Sequence, residues 1–428
     1  METNPGPPVD SPNEEGTRPS AAPKSHRRRL GVPLLLLALV VSAAVIAGRL
    51  AYISRPEYHF RKGLDALAAG DLSAAAREAR RLAAVPEFEA EAHFLAGAAL
   101  ARKNRCEEAL AELYQVPESA PFAEKAMTFA AQCNYRLSRF EQAVQSALAA
   151  IGHNPDDLDA RRWLASAYYD LGATAHAAEQ LEIISKSAPG DCAPQRMLGL
   201  IEKDRERFPQ AVEHYREALR RGCAGAALQD VLRELAQSLV KLSRYEEALS
   251  ALSEADETAE TLTIAAECEN GLGRAAEALG TVERALAIGP RHVPALLVKA
   301  NLQLAAGQIH QSQASLEEAL ALRPYDQQTH QLLAQVYSRL GDRKKSEEQV
   351  TLMKQSQAMA REFSDLHDQA MRNVADAEVR CRLGVLARKL HTAELAGVWF
   401  RAALAINPDH AEARAALDEV NRELRNEH

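Results

Sequence analysis

Six cysteines are the most reactive side chains in the sequence: Cys106, Cys133, Cys192, Cys223, Cys268 and Cys381. None shares a Cys-x-x-Cys spacing, and no histidine cluster completes a zinc-like ligand set. The thirteen histidines are scattered. His93, His330 and His391 fall inside segments with helical periodicity and read as hydrogen-bonded structural histidines. Adjacent carboxylates recur at Glu107-Glu108, Glu246-Glu247 and Glu347-Glu348. Such pairs could do acid–base work, but each opens a predicted helix, where negative charge complements the N-terminal dipole. No phosphate-cradling glycine loop and no His-Glu-x-x-His helix is present. The expectation is therefore no catalytic residue, no cofactor, no metal and no enzymatic activity.

The elements that carry these side chains are clearest between Asp159 and Gly190. Leu164, Ala165 and Tyr168 lie on one face of a first segment. Ala177, Leu181 and Ile184 follow on one face of a second, at i, i+4 and i+7. This is the apolar stripe of a helix rather than the alternation of a strand. Gly172 ends the first helix because glycine tolerates positive φ. Pro189 stops the second, lacking an N–H and clashing with a continuing helix. Small residues at Ala165 and Ala177 let the two helices approach closely. A hairpin of this kind cannot bury its apolar face alone, so copies are expected.

The copies are there. Ala75, Ala109, Ala143, Ala177 and Ala211 follow one another at intervals of 34, as do Pro121, Pro155 and Pro189, and Gly63 and Gly97. With these residues the chain resembles a tetratricopeptide repeat (TPR) protein from about residue 56 to its end. The resemblance implies an all-α, right-handed TPR solenoid of about ten helix–turn–helix repeats. Repeat five keeps Leu198-Gly199, Ala211 and Tyr215 but has Cys223 where proline is expected. The step to repeat six is 37 residues and the next is 30, which predicts a distorted joint near 220–262. Repeats eight and nine carry Ser312 and Ser346 in place of the alanine, small enough to preserve close packing. No glycine or proline interrupts Asp342–Leu383. An extended helix is expected near 343–372, then a tenth repeat, then a polar capping helix over 409–425. Met353, Phe363 and Met371 on the extended helix either pack onto repeat ten or contact a partner, methionine being adaptable at such surfaces.

The N-terminal region differs in kind. Residues 1–29 hold six prolines and almost no large apolar side chain, which predicts a disordered tail. Leu30–Gly48 has no charged residue over 19 positions. As a helix it would be about 28 Å long, the thickness of a bilayer core. We read it as one transmembrane helix preceding the solenoid, with a cleaved signal peptide as the competing reading. Lys24 and Arg27–Arg29 precede it and Arg49, Arg55, Arg61 and Lys62 follow more sparsely. The positive-inside rule then puts the tail in the cytoplasm and the repeats on the extracytoplasmic side, the periplasm of a bacterial cell. The net charge of −8 divides into +3 over residues 1–55 (seven basic, four acidic) and −11 beyond (44 basic, 55 acidic). An acidic solenoid is a poor nucleic-acid binder.

In an oxidising compartment two disulfides are open to the sequence. Cys192 begins one helix of a hairpin and Cys223 follows the other, so antiparallel packing brings them together. Cys106 and Cys133 lie near one edge of adjacent hairpins. Buried free thiols are the alternative for all four.

The TPR resemblance further implies that positions 2, 5, 9, 12 and 13 of each first helix line a concave groove. In repeats three to six these include Lys125, Tyr135, Arg136, Arg162, Tyr169, Arg196, Lys203, Arg233 and Lys241. Arg162, Arg196 and Arg233 share one position and should form a ladder. Arginine forks suit carboxylates and tyrosines add rigid contact area. The expected ligand is a protein or acidic peptide, with no small-molecule substrate. Asp159, Asp170, Asp204 and Asp230 also fall at lining positions, so internal salt bridges are the competing reading. The expected function is a membrane-anchored scaffold. The alternative is a non-catalytic subunit of an envelope enzyme or of an export or polysaccharide assembly machine.

Overall fold

The computed structural model describes residues 41–42, 55–373, 376–390 and 393–426. The chain divides into two units, Met1–Tyr58 and His59–His428. Few residues of the first are described; the tail 1–29 and all but two residues of the expected span 30–48 lie outside them. Among the described residues no helix is long and apolar enough to cross a membrane.

The second unit is an all-α repeat solenoid, and nine hairpins lead into its long eighteenth helix. They are α1 (Pro56–Ala68) and α2 (Leu72–Leu82), α3 (Glu89–Arg102) and α4 (Cys106–Leu113), α5 (Ala123–Arg136) and α6 (Phe140–His153), α7 (Leu158–Asp170) and α8 (Thr174–Ser187), and α9 (Ala193–Asp204) and α10 (Phe208–Arg220). There follow α11 (Ala226–Lys241) and α12 (Tyr245–Leu252), α13 (Ala259–Gly271) and α14 (Ala275–Ile288), α15 (Val293–Ala305) and α16 (Ile309–Leu322), and α17 (Gln327–Arg339) and α18 (Arg343–Arg372). The chain ends in α19 (Ala377–Leu390), α20 (Ala393–Ile406) and α21 (Ala411–Asn426). Odd-numbered helices up to α19 are the first, or A, helices of their hairpins; the even-numbered are the B helices.

One backbone feature marks the repeat better than any side chain. Each of the first nine hairpins turns at a residue with positive φ: Gly70, Asn104, Ser138, Gly172, Glu206, Ser243, Gly273, Gly307 and Gly341. The left-handed conformation closes the A helix and lets the chain reverse. Glycine adopts it without steric cost; Asn104, Ser138, Glu206 and Ser243 adopt it because the packing on either side fixes the turn. The irregular joint follows from the same ruler. Gly222 and Gly225, both at positive φ, lengthen the approach to α11, and α12 is then only eight residues long.

The periodic alanines are the points of closest helix approach. Ala75, Ala109, Ala143, Ala177 and Ala211 are fully buried. Where serine replaces alanine, its hydroxyl donates back to the A helix: Ser312 Oγ to the Ala300 carbonyl at 2.8 Å and Ser346 Oγ to that of Ala334 at 2.9 Å. A burial position that would otherwise strand a polar atom is thus satisfied. Gly199 is needed because a β-carbon there would come 2.6 Å from the Tyr215 ring.

Hydrogen bonds repeat with the fold. Residues 19 apart join A to B within a hairpin: His59 to Glu78 at 2.8 Å, His93 to Glu112 at 2.7 Å, Gln195 to His214 at 2.8 Å and His330 to Gln349 at 2.7 Å. His93 and His330 are therefore structural; His391 lies outside the described residues. Between hairpins, arginines at the ends of A helices donate to the last carbonyls of the preceding A helix. Arg136 reaches the Ala101 carbonyl at 3.2 Å and Arg339 that of Leu304 at 2.8 Å. They satisfy acceptors that a helix C-terminus leaves open.

The far half of α18 does not stand free. Leu366 and Ala370 are buried with Cys381, Leu383, Phe400 and Val420, and Met359 and Phe363 pack against that cluster. Phe363 thus belongs to the C-terminal core rather than to a partner surface. This C-terminal assembly also reaches repeats three and four. Arg380 pairs with Glu141 at 2.7 Å, and a β-carbon on Gly172 would lie 3.2 Å from His367 Cε1.

Candidate functional site: the face of the A helices

The side chains expected to line a groove divide into several groups. Lys125, Arg162, Thr128, Phe129 and Trp163 line a cavity of about 720 Å³ between repeats three and four. The Tyr135 ring packs tilted against Trp163 and Phe140, with centroids 5.5 Å and 5.6 Å away. Burial, with a hydrogen bond to Asp170, pushes its phenol well above the usual range. Arg136 donates to the Ala101 carbonyl of α3, as described, and does not line this cavity.

The arginine ladder exists, but it is engaged. Arg162 bonds Asp159 at 2.5 Å and Asp191 at 3.0 Å. Arg196 meets Asp230 at 2.9 Å. Arg233 meets Glu260 at 3.1 Å and Asp230 at 3.3 Å. Lys203 contacts Glu234 and lies 3.1 Å from Gln237 Oε1. Tyr169 donates to Asp204 at 2.5 Å, and burial with that carboxylate raises its phenol. Most of these bonds tie one repeat to the next. They act as staples between hairpins, and an acidic ligand here would have to compete with Asp191, Asp230 and Glu260. This is the internal salt-bridge reading realised.

Lys241 belongs to a second cavity of about 480 Å³, with Lys203, Gln237, Glu267 and His292. Burial raises the Glu267 carboxyl, and the charge of Lys241 opposes that rise. Burial lowers the His292 imidazole, and its Nε2 is enclosed without a hydrogen bond. Glu267 is shared with a third cavity of about 340 Å³, lined by Asn270, Leu297, Asn301 and Gln328. Beyond it, Gln331, Gln335, Ser338, Val350 and Met353 line an open hollow of about 630 Å³. Sequence reasoning missed Trp163, Glu267, Asn270, Asn301 and Gln335. The signal was available in the turn glycines Gly172, Gly273, Gly307 and Gly341, from which these positions count back, but the groove register covered only repeats three to six.

Of the two cysteine pairs, Cys192 and Cys223 form a disulfide with Cα atoms 5.6 Å apart. Cys106 and Cys133 are both buried free thiols, not bonded to each other. Burial and the neighbouring Cys106 push the Cys133 thiol up to about 12. Among the described residues no three His, Cys, Asp or Glu side chains converge as a metal site.

Residues 60–124, 131–191 and 196–261 match the tetratricopeptide repeat family, and these matches span the first six hairpins. These segments are tetratricopeptide repeats. No curated protein matches the chain. Solved structures that resemble it include a tetratricopeptide repeat protein from Parabacteroides merdae, at 15% identity and a TM-score of 0.40, covering 66% of this chain and 98% of that one. YrrB, a TPR protein with an unusual peptide-binding site, matches at 19% identity and a TM-score of 0.37, covering 44% of this chain and 97% of its own. The Cut9–Hcn1 hetero-tetramer of the APC/C matches at 14% identity and a TM-score of 0.35, covering 90% and 94%.

Proposed function

We propose that this chain is a tetratricopeptide scaffold that binds a protein or peptide partner along the face of its A helices. The observation that carries this reading is the pair of adjoining cavities along α11, α13, α15 and the start of α17, with Glu267 and Pro294 common to both. A long, open, segmented trough suits an extended macromolecular ligand better than a compact small molecule, which an enclosed pocket would hold. The uncharged stretch 30–48 would fix the scaffold at a bilayer with the repeats on the extracytoplasmic side, and so concentrate it where its partner is. The Cys192–Cys223 bridge supports that side, since structural disulfides persist in oxidising compartments.

Purification of the full chain from solubilised membranes, with quantitation of what accompanies it, tests the reading. A non-enzymatic partner that is lost when Asn301 and Gln335 are changed supports a scaffold. A stoichiometric envelope enzyme that stays bound in that variant favours the alternative, a non-catalytic subunit of an assembly machine.

A further inference from the structure

The C-terminal end of the chain folds around a core of its own. Leu366 of α18, Leu383 of α19, Phe400 of α20 and Val420 of α21 are buried together. That core shares no residue with those running through repeats three and four or through repeats eight and nine. Between the two ends of α18, Lys354, Gln355, Ala358, Ala360 and Arg361 are exposed to solvent. The far half of α18 and α19–α21 thus form one assembly, joined to repeat nine by a helical stalk.

This assembly meets the rest of the solenoid through thin contacts. Towards repeats three and four, Arg380 pairs with Glu141 of α6 at 2.7 Å. His367 Cε1 lies against the Gly172 turn, where a β-carbon would come within 3.2 Å of it. Towards repeats eight and nine, Lys389 Nζ stands 5.9 Å from the centre of the Tyr325 ring, on the loop between α16 and α17. Around that contact a cavity of about 710 Å³ remains between the loop and α19–α21. Interdigitated cores resist the movement of one part over another; a hollow bordered by polar contacts does not.

The contact with repeats three and four closes a ring of structure. A solenoid's curvature is the sum of small rotations between neighbouring repeats. Tying repeat three to the far end of α18 fixes that sum over repeats four to nine, which carry the two cavities that share Glu267. Residues 357–372 of α18 are a lever about 24 Å long. A tilt of about 15° at its root moves the tip by about 6 Å, enough to break the Arg380–Glu141 bond.

We infer that the C-terminal assembly is a clasp, swinging as a body on α18, whose closure on Glu141 and Gly172 locks the curvature of repeats four to nine. The Glu141–Arg380 pair holds the closed state, and opening leaves the cores on both sides intact. This holds whether or not the A-helix face docks a partner.

Pulsed electron paramagnetic resonance on the full chain in detergent tests the clasp. Nitroxides are attached to introduced non-natural residues, leaving the cysteines untouched. One pair, at the exposed Gln145 on α6 and Asp418 on α21, reads the clasp. A second, at the exposed Glu179 on α8 and Glu318 on α16, reads the curvature. Both are measured in the wild type, in Glu141→Gln and in Glu141→Lys. Cys381, 1% exposed in the C-terminal core, reports by alkylation whether that core stays folded. We expect one narrow distance for each pair in the wild type. In Glu141→Lys the clasp distance should lengthen by about 5 Å or more, as the lever allows. The Glu179–Glu318 distribution should broaden, and Cys381 should stay as unreactive as in the wild type. Glu141→Gln should show the same changes to a smaller extent. A wild-type clasp distance in Glu141→Lys overturns the inference. A longer distance accompanied by alkylation of Cys381 in both variants also overturns it, because the core has then unfolded rather than swung. A clasp that opens while Glu179–Glu318 keeps its wild-type width overturns the control of curvature.

Discussion

Glu141 and Arg380 stand 239 residues apart in the chain and 2.7 Å apart in space. The Arg380 side chain is only 4% exposed and also reaches the carbonyls of Asn373 and Asp376, both at 3.4 Å. The pair ties the C-terminal hairpin to repeat three. Removing the carboxylate leaves a buried guanidinium short of its charged partner, a loss on the order of 1–3 kcal/mol. Glu141→Gln should therefore raise hydrogen exchange in α19 and α20 and leave α1–α4 unchanged. Exchange indistinguishable from wild type in α19 would show that the pair holds nothing.

The disulfide makes a separate prediction. Cys192 and Cys223 close a loop with a sequence separation of 31, for which the stabilisation is typically about 2–4 kcal/mol. Cys192→Ser should lower the melting temperature, and reduction should lower that of the wild type but not of the variant. Denatured, unreduced protein from its native compartment should alkylate at four thiols, Cys106, Cys133, Cys268 and Cys381. Six alkylated thiols would contradict the bridge.

Acid should loosen the C-terminal hairpin. His367 lies edge-on to Trp399, with ring centroids 5.6 Å apart, and approaches Gly172. Burial holds its imidazole below the ordinary 6.5, and Asp368 opposes that shift. The unfolded chain then binds the proton more readily than the folded one. Stability is lost as pH falls below the unfolded value of about 6.5, and the loss is complete below the folded value. His367→Gln should flatten the increase in α19–α20 exchange between pH 7 and pH 5. His214 and His292 are lowered by burial too, so other repeats keep their own acid sensitivity. An unchanged profile in α19–α20 would rule out His367 as its source.

The arginine ladder should be modest in energy. Arg196 and Asp230 are each more than a third exposed, and pairs of that kind are typically worth about 0.2–1 kcal/mol. A double-mutant cycle on Arg196→Ala and Asp230→Asn should give coupling in that range, reduced by salt. Coupling near zero would show that the ladder does not staple the repeats.

Much of the fold is legible from Ala75, Ala109, Ala143, Ala177 and Ala211, because close helix packing at a fixed period admits only small residues. The 37- and 30-residue steps likewise announced the joint that Gly222, Gly225 and the short α12 create. Two things were not legible. Glu141 and Arg380 carry no pattern, since nothing in a periodic sequence says which distant repeats meet. Asn301 and Gln335 were hidden because their residue types mark no groove position by themselves; only the register counted back from Gly307 and Gly341 puts them on the A-helix face. Arg162 and Arg196 were visible for the opposite reason, standing 34 apart, yet their partners Asp191 and Asp230 decide what they do.

Site-specific photo-crosslinking in native membranes tests the central claim most directly. A photoreactive residue placed at Asn301 or Gln335 on the A helices is compared with one at the exposed Glu318 on the B helix α16. The account predicts one partner protein captured from both A-helix positions and not from Glu318. Capture from Glu318 alone, or no capture from either A-helix position, would contradict it.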